Sequence, residues 1–450
     1  EEIIVKNGKV EGMLVDEQEG FGVRVVADGA WGFAASHLLT PTEADRIAAL
    51  AVRIAKASAL AKRVDVQLGP PVTSVGSYTT PVKIDPFTVS MEDKAQLLMD
   101  ADDAMRRVPG VTIAESSFQA LRTEKLFAST EGSFIEQHLV ETGAGLEATA
   151  VRDGDVQKRS YPNSFGRHQG TAGYEFVQNL QLVDNAPVIA EQAVQLLSAE
   201  QCPSDLVTTV ILDPTQLALQ IHESCGHPIE LDRALGTEAS YAGTSFLTAD
   251  KLGGFRYGSD IVNIVADATV PGGLGTFGFD DEGVAAQRVP IIQNGIFVNY
   301  LTSRETATVL GQQSNGSMRA DGWNRIPLIR MTNINLEPGP WKLEDLIADT
   351  DEGIFMQTNK SWSIDDKRLN FQFGTEIAWE IRGGKLGRMY KNPTYTGITP
   401  QFWAGCDAIC REWTVWGVVN CGKGQPVQVA HVGHGAAAAR FRNVHVGVMR

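Results

Sequence analysis

The sequence predicts an α+β protein: a mixed N-terminal half with an antiparallel sheet, then a mostly β C-terminal half that carries one short helix of special interest. Three observations predict it. Apolar residues recur at helical spacing in two early segments, long extended runs follow them, and beyond residue 200 short β-prone runs are cut by Gly, Asn and Pro. The 450 residues lead us to expect more than one domain, divided as 1–200 (N-terminal, α+β) and 201–450 (C-terminal, β-rich).

The first elements expected are the strands GFGVRVVA (20–27) and AWGFAAS (30–36), joined by the turn pair Asp28-Gly29. Thr40 to Glu43 then resembles a helix start, after which Ile47, Leu50, Ala51, Ile54 and Ala57 fall on one helical face. The segment 90–108 reads as a second helix. VTIAESSFQALRTEKLFAST and FIEQHLVETGAGLEATAVRDG read as extended, with turns at Gly132 and Gly154. A helix is expected from Val188 to Ala199, and the Cys202-Pro203-Ser204-Asp205 stretch marks the boundary. LVTTVIL, VNIVAD, VPIIQNGIFVNYLT, GIFMQT, FQFGTEIAWEIRGGKLGRM and WTVWGVVN are the strands of the second half.

Composition narrows the function. Hydrophobic residues make up 43% and charged residues 21%, an ordinary globular balance, and no window is apolar enough for a membrane helix. The net charge of -15 repels phosphate backbones, which disfavours nucleic acid as a direct partner. Five cysteines at irregular spacing do not form a secreted disulfide framework, and EEIIVKNGKV lacks the basic-then-apolar pattern of a secretion signal. A cytoplasmic protein is the expectation.

The chemistry concentrates in LVTTVILDPTQLALQIHESCGHPIELD. The run Val207 to Leu212 reads as a buried strand, after which Asp213 caps a helix, Pro214 takes its first position and Gln216 completes a capping-box pattern. His222, Glu223 and His227 then form HExxxH, one residue longer than the zincin HExxH. On a regular helix residues five apart lie about 140° apart, too far to share an ion. We therefore expect a widened or broken turn across Ser224, Cys225 and Gly226, with Gly226 tolerating the distortion and Pro228 turning His227 away from helical geometry. Without that turn, the two histidines are ordinary polar residues of an amphipathic helix. Candidates for a third metal ligand are His431, His434, Cys406, Cys410 and Cys421, the last read as lying just after a strand in a Gly-rich turn. Cys406 and Cys410 read more naturally as buried small residues than as a redox or metal pair, and Cys225 likewise. Asp280, Asp281 and Glu282 read as a solvated acidic turn rather than a calcium cluster. His168 and Arg319 are candidate substrate contacts, and His37, His138 and His445 structural or surface residues.

These residues resemble the TldD/PmbA metalloproteases over nearly the whole chain. The likeness is carried by the early GFGVRV strand, HESCGHPIELD (222–232), GFDDEGVAAQRVPIIQNGIFVNYLTSRETA (278–307), RMTNINLEPG (330–339), and NCGKGQPV followed by ARFRNVHVG. It is most specific in HExxxH combined with the late cysteine element, here CGKGQ, one residue shorter than the family's CGKxGQ form. The resemblance implies Zn²⁺ bound by His222, His227 and Cys421, with Glu223 as catalytic base. It also implies hydrolysis of unfolded peptides in a channel enclosed by two subunits, the partner being a second copy or a PmbA/TldE-like chain. GGLGTFGFDDEG (272–283) and SNGSMRADGWNR (314–325) are candidate linings for that channel. The alternatives are a noncatalytic or regulatory zinc-binding subunit of such a complex, and a thiol redox protein using Cys406 and Cys410.

Overall fold

The computed structural model describes residues 1–238 and 243–447. It is α+β, 22% helical and 42% strand. The chain opens with a hairpin the sequence reading did not register, Glu2–Lys6 against Lys9–Leu14, turned by Asn7 and Gly8, both at positive φ. The expected hairpin follows, Phe21–Ala27 paired with Ala30–Ser36; Asp28 and Gly29 both take positive φ, as a two-residue turn of matching twist requires. Helix Pro41–Ala59 starts on Thr40, whose hydroxyl accepts from the Glu43 amide at 3.3 Å, and lays Ile47, Ala51 and Ala55 on this hairpin. Gly32 permits the contact, because a Cβ there would overlap the Ala51 carbonyl.

The two long extended runs are one hairpin, Val111–Ala128 against Phe134–Arg152, central to a seven-stranded sheet. Its inner face alternates Ala114, Ser116, Phe118 and Ala120, with the period of two of a half-buried strand. Helix Met91–Arg106, capped by Ser90, and helix Leu182–Leu196 cover that face with Leu98, Ala101, Met105, Ile189 and Ala193. The latter helix begins six residues before the expected Val188. Burial of Leu182 and Ala186 on the same face as Ile189 and Ala190 extends the helix upstream of Pro187.

In the second half, strand Leu206–Leu212 runs parallel to Glu352–Ile364 and antiparallel to Ala439–Val446. Strand Asn370–Arg382 pairs with Glu352–Ile364 along one edge and with Thr394–Ile398 along the other, and Thr394–Ile398 pairs back to Ala439–Val446. These five strands therefore close into a β-barrel, to which the strands Glu200–Gln201, Lys385–Lys391 and Cys406–Ile409 are added outside the ring. Helix Pro214–Ile221 drops from the end of Leu206–Leu212 and is almost wholly buried. Asp213 caps it, accepting from the Thr215 amide at 2.9 Å, as expected. Gln216 does not reach back to complete a capping box. Its amide donates to the Tyr395 hydroxyl at 2.8 Å, because a buried amide inside a barrel must find a partner there.

Candidate metal centre

Helix Pro214–Ile221 runs directly into a π-helical turn, His222–Gly226. The His227 amide donates to the His222 carbonyl at 3.1 Å, five residues back, so the extra residue of HExxxH is absorbed by one wide turn. Ser224 is held within it: its carbonyl accepts from the Tyr257 hydroxyl and its own hydroxyl from the Trp403 indole, each at 2.9 Å. The expected widening is thus present, but Pro228 does not turn His227 out of the helix. His227 stays helical at φ -68° and ψ -42°, its backbone fixed by the π-type hydrogen bond despite the unfavourable residue that follows.

The two imidazoles consequently lie side by side, 4.8 Å between ring centres and 89° between planes. Cys421 meets them, its Sγ 3.8 Å from His227 Nε2. It lies inside strand Thr414–Lys423 rather than in the turn beyond it. A register shift between Val418 and Cys421 marks a bulge against Gln428–Ala436, the usual device for re-aiming a side chain. One ligand atom from each of His222, His227 and Cys421 lies within 4.8 Å of the others, and all three residues are buried. Two ligands on a tetrahedral zinc, one nitrogen and one sulfur, sit about 3.5 Å apart. The donor set and its spacing therefore fit a metal ion.

Hydrogen bonds fix which nitrogens face the centre. His434 Nδ1 lies 3.3 Å from the Ile334 carbonyl, which only accepts, so that nitrogen carries the proton and Nε2 accepts. His222 Nδ1, 2.8 Å from His434 Nε2, is then a donor, and the lone pair of His222 is on Nε2. His227 Nδ1 lies 3.1 Å from Glu230, which directs its own Nε2 lone pair toward Cys421. Burial pushes His222 and His227 down to about 4 and His434 well below its ordinary value, so all three are neutral near pH 7. Burial alone raises the Cys421 thiol, but the His227 and Arg330 charges and the hydrogen bond to His227 outweigh it and leave it lowered. With His227 neutral, the Arg330 charge is what persists at neutral pH.

Behind these ligands is a buried ionic cluster that sequence reasoning missed. Burial works against the Glu230 carboxylate, yet the Lys423 and Arg233 charges hold it well below the usual range. Arg233 Nε donates to it at 2.7 Å, and Lys423 Nζ sits 2.8 Å from both oxygens of Asp232. Glu230 follows His227 by three residues and Lys423 follows Cys421 by two, so the signal was spacing within the motifs themselves. Glu223 points to a different partner, Arg368, with which it forms a buried ion pair. No local pattern joins residues 145 positions apart.

The other candidates lie elsewhere. His431 Nδ1 is bound to Glu141 at 2.6 Å, and His434 stands behind His222 rather than joining the three grouped side chains. Cys225, Cys406 and Cys410 are buried and unpaired, with burial raising all three thiols, Cys225 and Cys410 to about 12. They are packing residues. The acidic turn is not solvated: Asp280 and Glu282 are buried. Asp280 accepts from the amides of Glu282, Val284 and Met318, Asp281 pairs with Lys125, and Glu282 pairs with Arg24. These partners bind the loop to the first half of the chain and use the oxygens a calcium ion would need. His168 is wedged between Phe176 and Trp416, and Arg319 donates to the carbonyls of Met331 and His431. His37 and His445 are exposed, and His138 is half-buried.

A barrel-borne π-turn bringing two neutral imidazoles, a thiol and a paired carboxylate together is the framework of a metallopeptidase, and comparison with known proteins gives the family. The chain belongs to the PmbA/TldA metallopeptidases: models of that family's domain 1, central domain and C-terminal domain match residues 1–56, 84–199 and 206–447. A metalloprotease of Methanocaldococcus jannaschii is 31% identical over 435 residues, covering 96% of this chain and 92% of the relative. One from Methanothermobacter thermautotrophicus is 30% identical, covering 99% and 92%. The metalloprotease TldD homolog of Haemophilus influenzae is 25% identical, covering 99% and 90%. Among solved structures, TldE from Thermococcus kodakarensis shares the fold at a TM-score of 0.75 and 17% identity, covering 99% of this chain and 94% of that one. Membership of this family and the His, His, Cys cluster together imply a metal.

Proposed function

We propose that the protein is a zinc-dependent peptidase of the TldD type that hydrolyses unfolded peptides or protein segments, with His222, His227 and Cys421 holding the ion and Glu223 acting as general base. The observation that carries this reading is the convergence of three ligand atoms within 4.8 Å, with the buried Glu223 following His222 in the same turn. A zinc ion bound there supplies Lewis acidity toward water and a peptide carbonyl. The chain's residues do the rest. Glu223 takes the water proton on a carboxylate oxygen and returns it to the leaving amine. His434 and Glu230 keep both ligand imidazoles in the tautomer that offers Nε2.

The alternative of a purely structural zinc is less well supported. Structural sites carry four protein ligands, and among the described residues three come together, which leaves a position for water. The rest of the proposal follows the family resemblance. The active assembly is a homodimer or a heterodimer with a PmbA/TldE-like subunit, its channel lined by segments 272–283 and 314–325. Residues 1–200 and 201–450 act as its two domains, a division supported by the two large apolar clusters, which end at Leu197 and begin at Cys202, with a smaller cluster of Ala34, Ile47 and Ala51 inside the first. A cytoplasmic setting fits five unpaired cysteines, and no described helix is long and apolar enough to cross a membrane.

The test is incubation with an unfolded peptide, with and without chelator, alone and with a PmbA/TldE-like subunit. Hydrolysis should require metal, and Glu223→Ala should retain zinc while losing it. Peptidase activity surviving in Glu223→Ala removes Glu223 from the mechanism.

A further inference from the structure

Glu223 is held by a residue no motif pointed to. Arg368 comes from the turn between the barrel strands Glu352–Ile364 and Asn370–Arg382, and its Nη1 donates to Glu223 Oε2 in the π-turn. Both side chains are buried. Such a pair is poor evidence of stabilisation, since removing two charges from water offsets most of what their attraction returns. Arg368 is unfavourable in a second way. Its φ is +63°, a left-handed conformation that favours glycine or asparagine.

The turn is built to hold it there. The Arg368 amide donates to the Asp365 carbonyl at 2.8 Å, the Asp365 carboxylate accepts from the Leu369 amide at 2.8 Å, and the Thr399 hydroxyl donates to the Arg368 carbonyl at 3.0 Å. Two costly features at one residue, over-determined by their surroundings and bearing on the Glu223 carboxylate, are the pattern of a functional constraint.

We propose that Arg368 is the positioning residue of this site: its guanidinium, delivered by the 365–369 turn, fixes the Glu223 carboxylate in the orientation from which it accepts the water proton. The inference rests on the hydrolytic reading above. It assigns Arg368 to the chemical step, so its loss acts on kcat and spares substrate affinity and metal binding.

The experiment uses the full-length, zinc-loaded protein with an unfolded fluorogenic peptide, and the variants Arg368→Ala, Arg368→Lys, Glu223→Gln and the double variant Arg368→Ala/Glu223→Gln. For Arg368→Ala we expect kcat to fall roughly 100-fold, the scale of a misplaced catalytic group, with KM and zinc content close to wild type. Arg368→Lys should recover part of the rate, since one ammonium replaces a planar fork, and millimolar guanidinium should raise the rate of Arg368→Ala. Thermal midpoints give a readout independent of activity. Arg368→Ala strands a buried carboxylate, so the double variant should melt above Arg368→Ala alone. A raised KM with unchanged kcat, loss of zinc, or strictly additive midpoints with an active wild type would each overturn the proposal. A wild-type protein that cleaves nothing removes the hydrolytic reading and this proposal with it, while the midpoints still report whether the pair exists.

Discussion

The amide of His227 is hydrogen-bonded to the carbonyl of His222 at 3.1 Å, and this one π-type contact brings two imidazoles five residues apart onto the same side of a helix. The geometry depends on Gly226, where a Cβ would overlap the Met331 sulfur inside a buried shell. Gly226→Ala must move either Met331 or the turn. We expect a loss of about 1–3 kcal/mol in stability, as for other overpacked cores, together with weaker metal binding. Denaturant titration and chelator competition measure both, and a variant with wild-type metal affinity would show that the turn can form without glycine.

His434 acts at one remove from the metal position by accepting from His222 Nδ1. His434→Ala should weaken metal affinity roughly 10–100-fold, the usual effect of losing a group that orients a ligand. His434→Gln, whose amide oxygen can still accept, should recover part of it. Equal losses in both variants would assign His434 to packing alone.

Lys423 is fully buried against Asp232, with Glu230 at 3.5 Å. Lys423→Met removes the ammonium that both carboxylates share, while Glu230 keeps its bonds to Arg233 and His227. A loss of about 3–5 kcal/mol in unfolding free energy is expected, as for other buried pairs broken on one side. Lys423→Met combined with Asp232→Asn should lose less.

Stability should also depend on pH in a defined window. Burial lowers His168, His222 and His227 to about 4. Between the ordinary histidine value and about 4, the unfolded chain binds protons that the folded chain refuses. Stability present above that window therefore declines as pH falls through it and levels off below about 4, on the order of 3 kcal/mol for each histidine. Because burial raises the Asp280 carboxyl to about 8, which acts in the opposite sense over the same window, the check is an NMR titration of the imidazoles in the metal-free protein, and histidines titrating at their ordinary value would contradict neutral, buried imidazoles.

Much of the centre was legible because its signals are local. HExxxH, a glycine inside it and a capped helix after a β-branched strand point to a wide turn, provided that the two histidines share an ion. Pro228 misled because a residue's preference before proline is small beside a fixed hydrogen bond and full burial. Cys421 reads as a turn residue because of Gly422 and Gly424, whereas pairing with Gln428–Ala436 carries the strand through Gly422 to Lys423. Arg368 and His434 were opaque for another reason: each acquires its role only when the barrel closes, and no periodicity within their own segments records which distant side chain they will meet. The acidic run 280–282 reads as solvent-facing by composition, and only the packing of Arg24, Lys125 and three backbone amides around it makes it interior.

X-ray absorption at the zinc edge of the reconstituted protein tests the central claim most directly. The account predicts one sulfur at about 2.3 Å and two imidazole nitrogens at about 2.0–2.1 Å, with the sulfur lost in Cys421→Ser. A shell without sulfur, or one unchanged by Cys421→Ser, would contradict it.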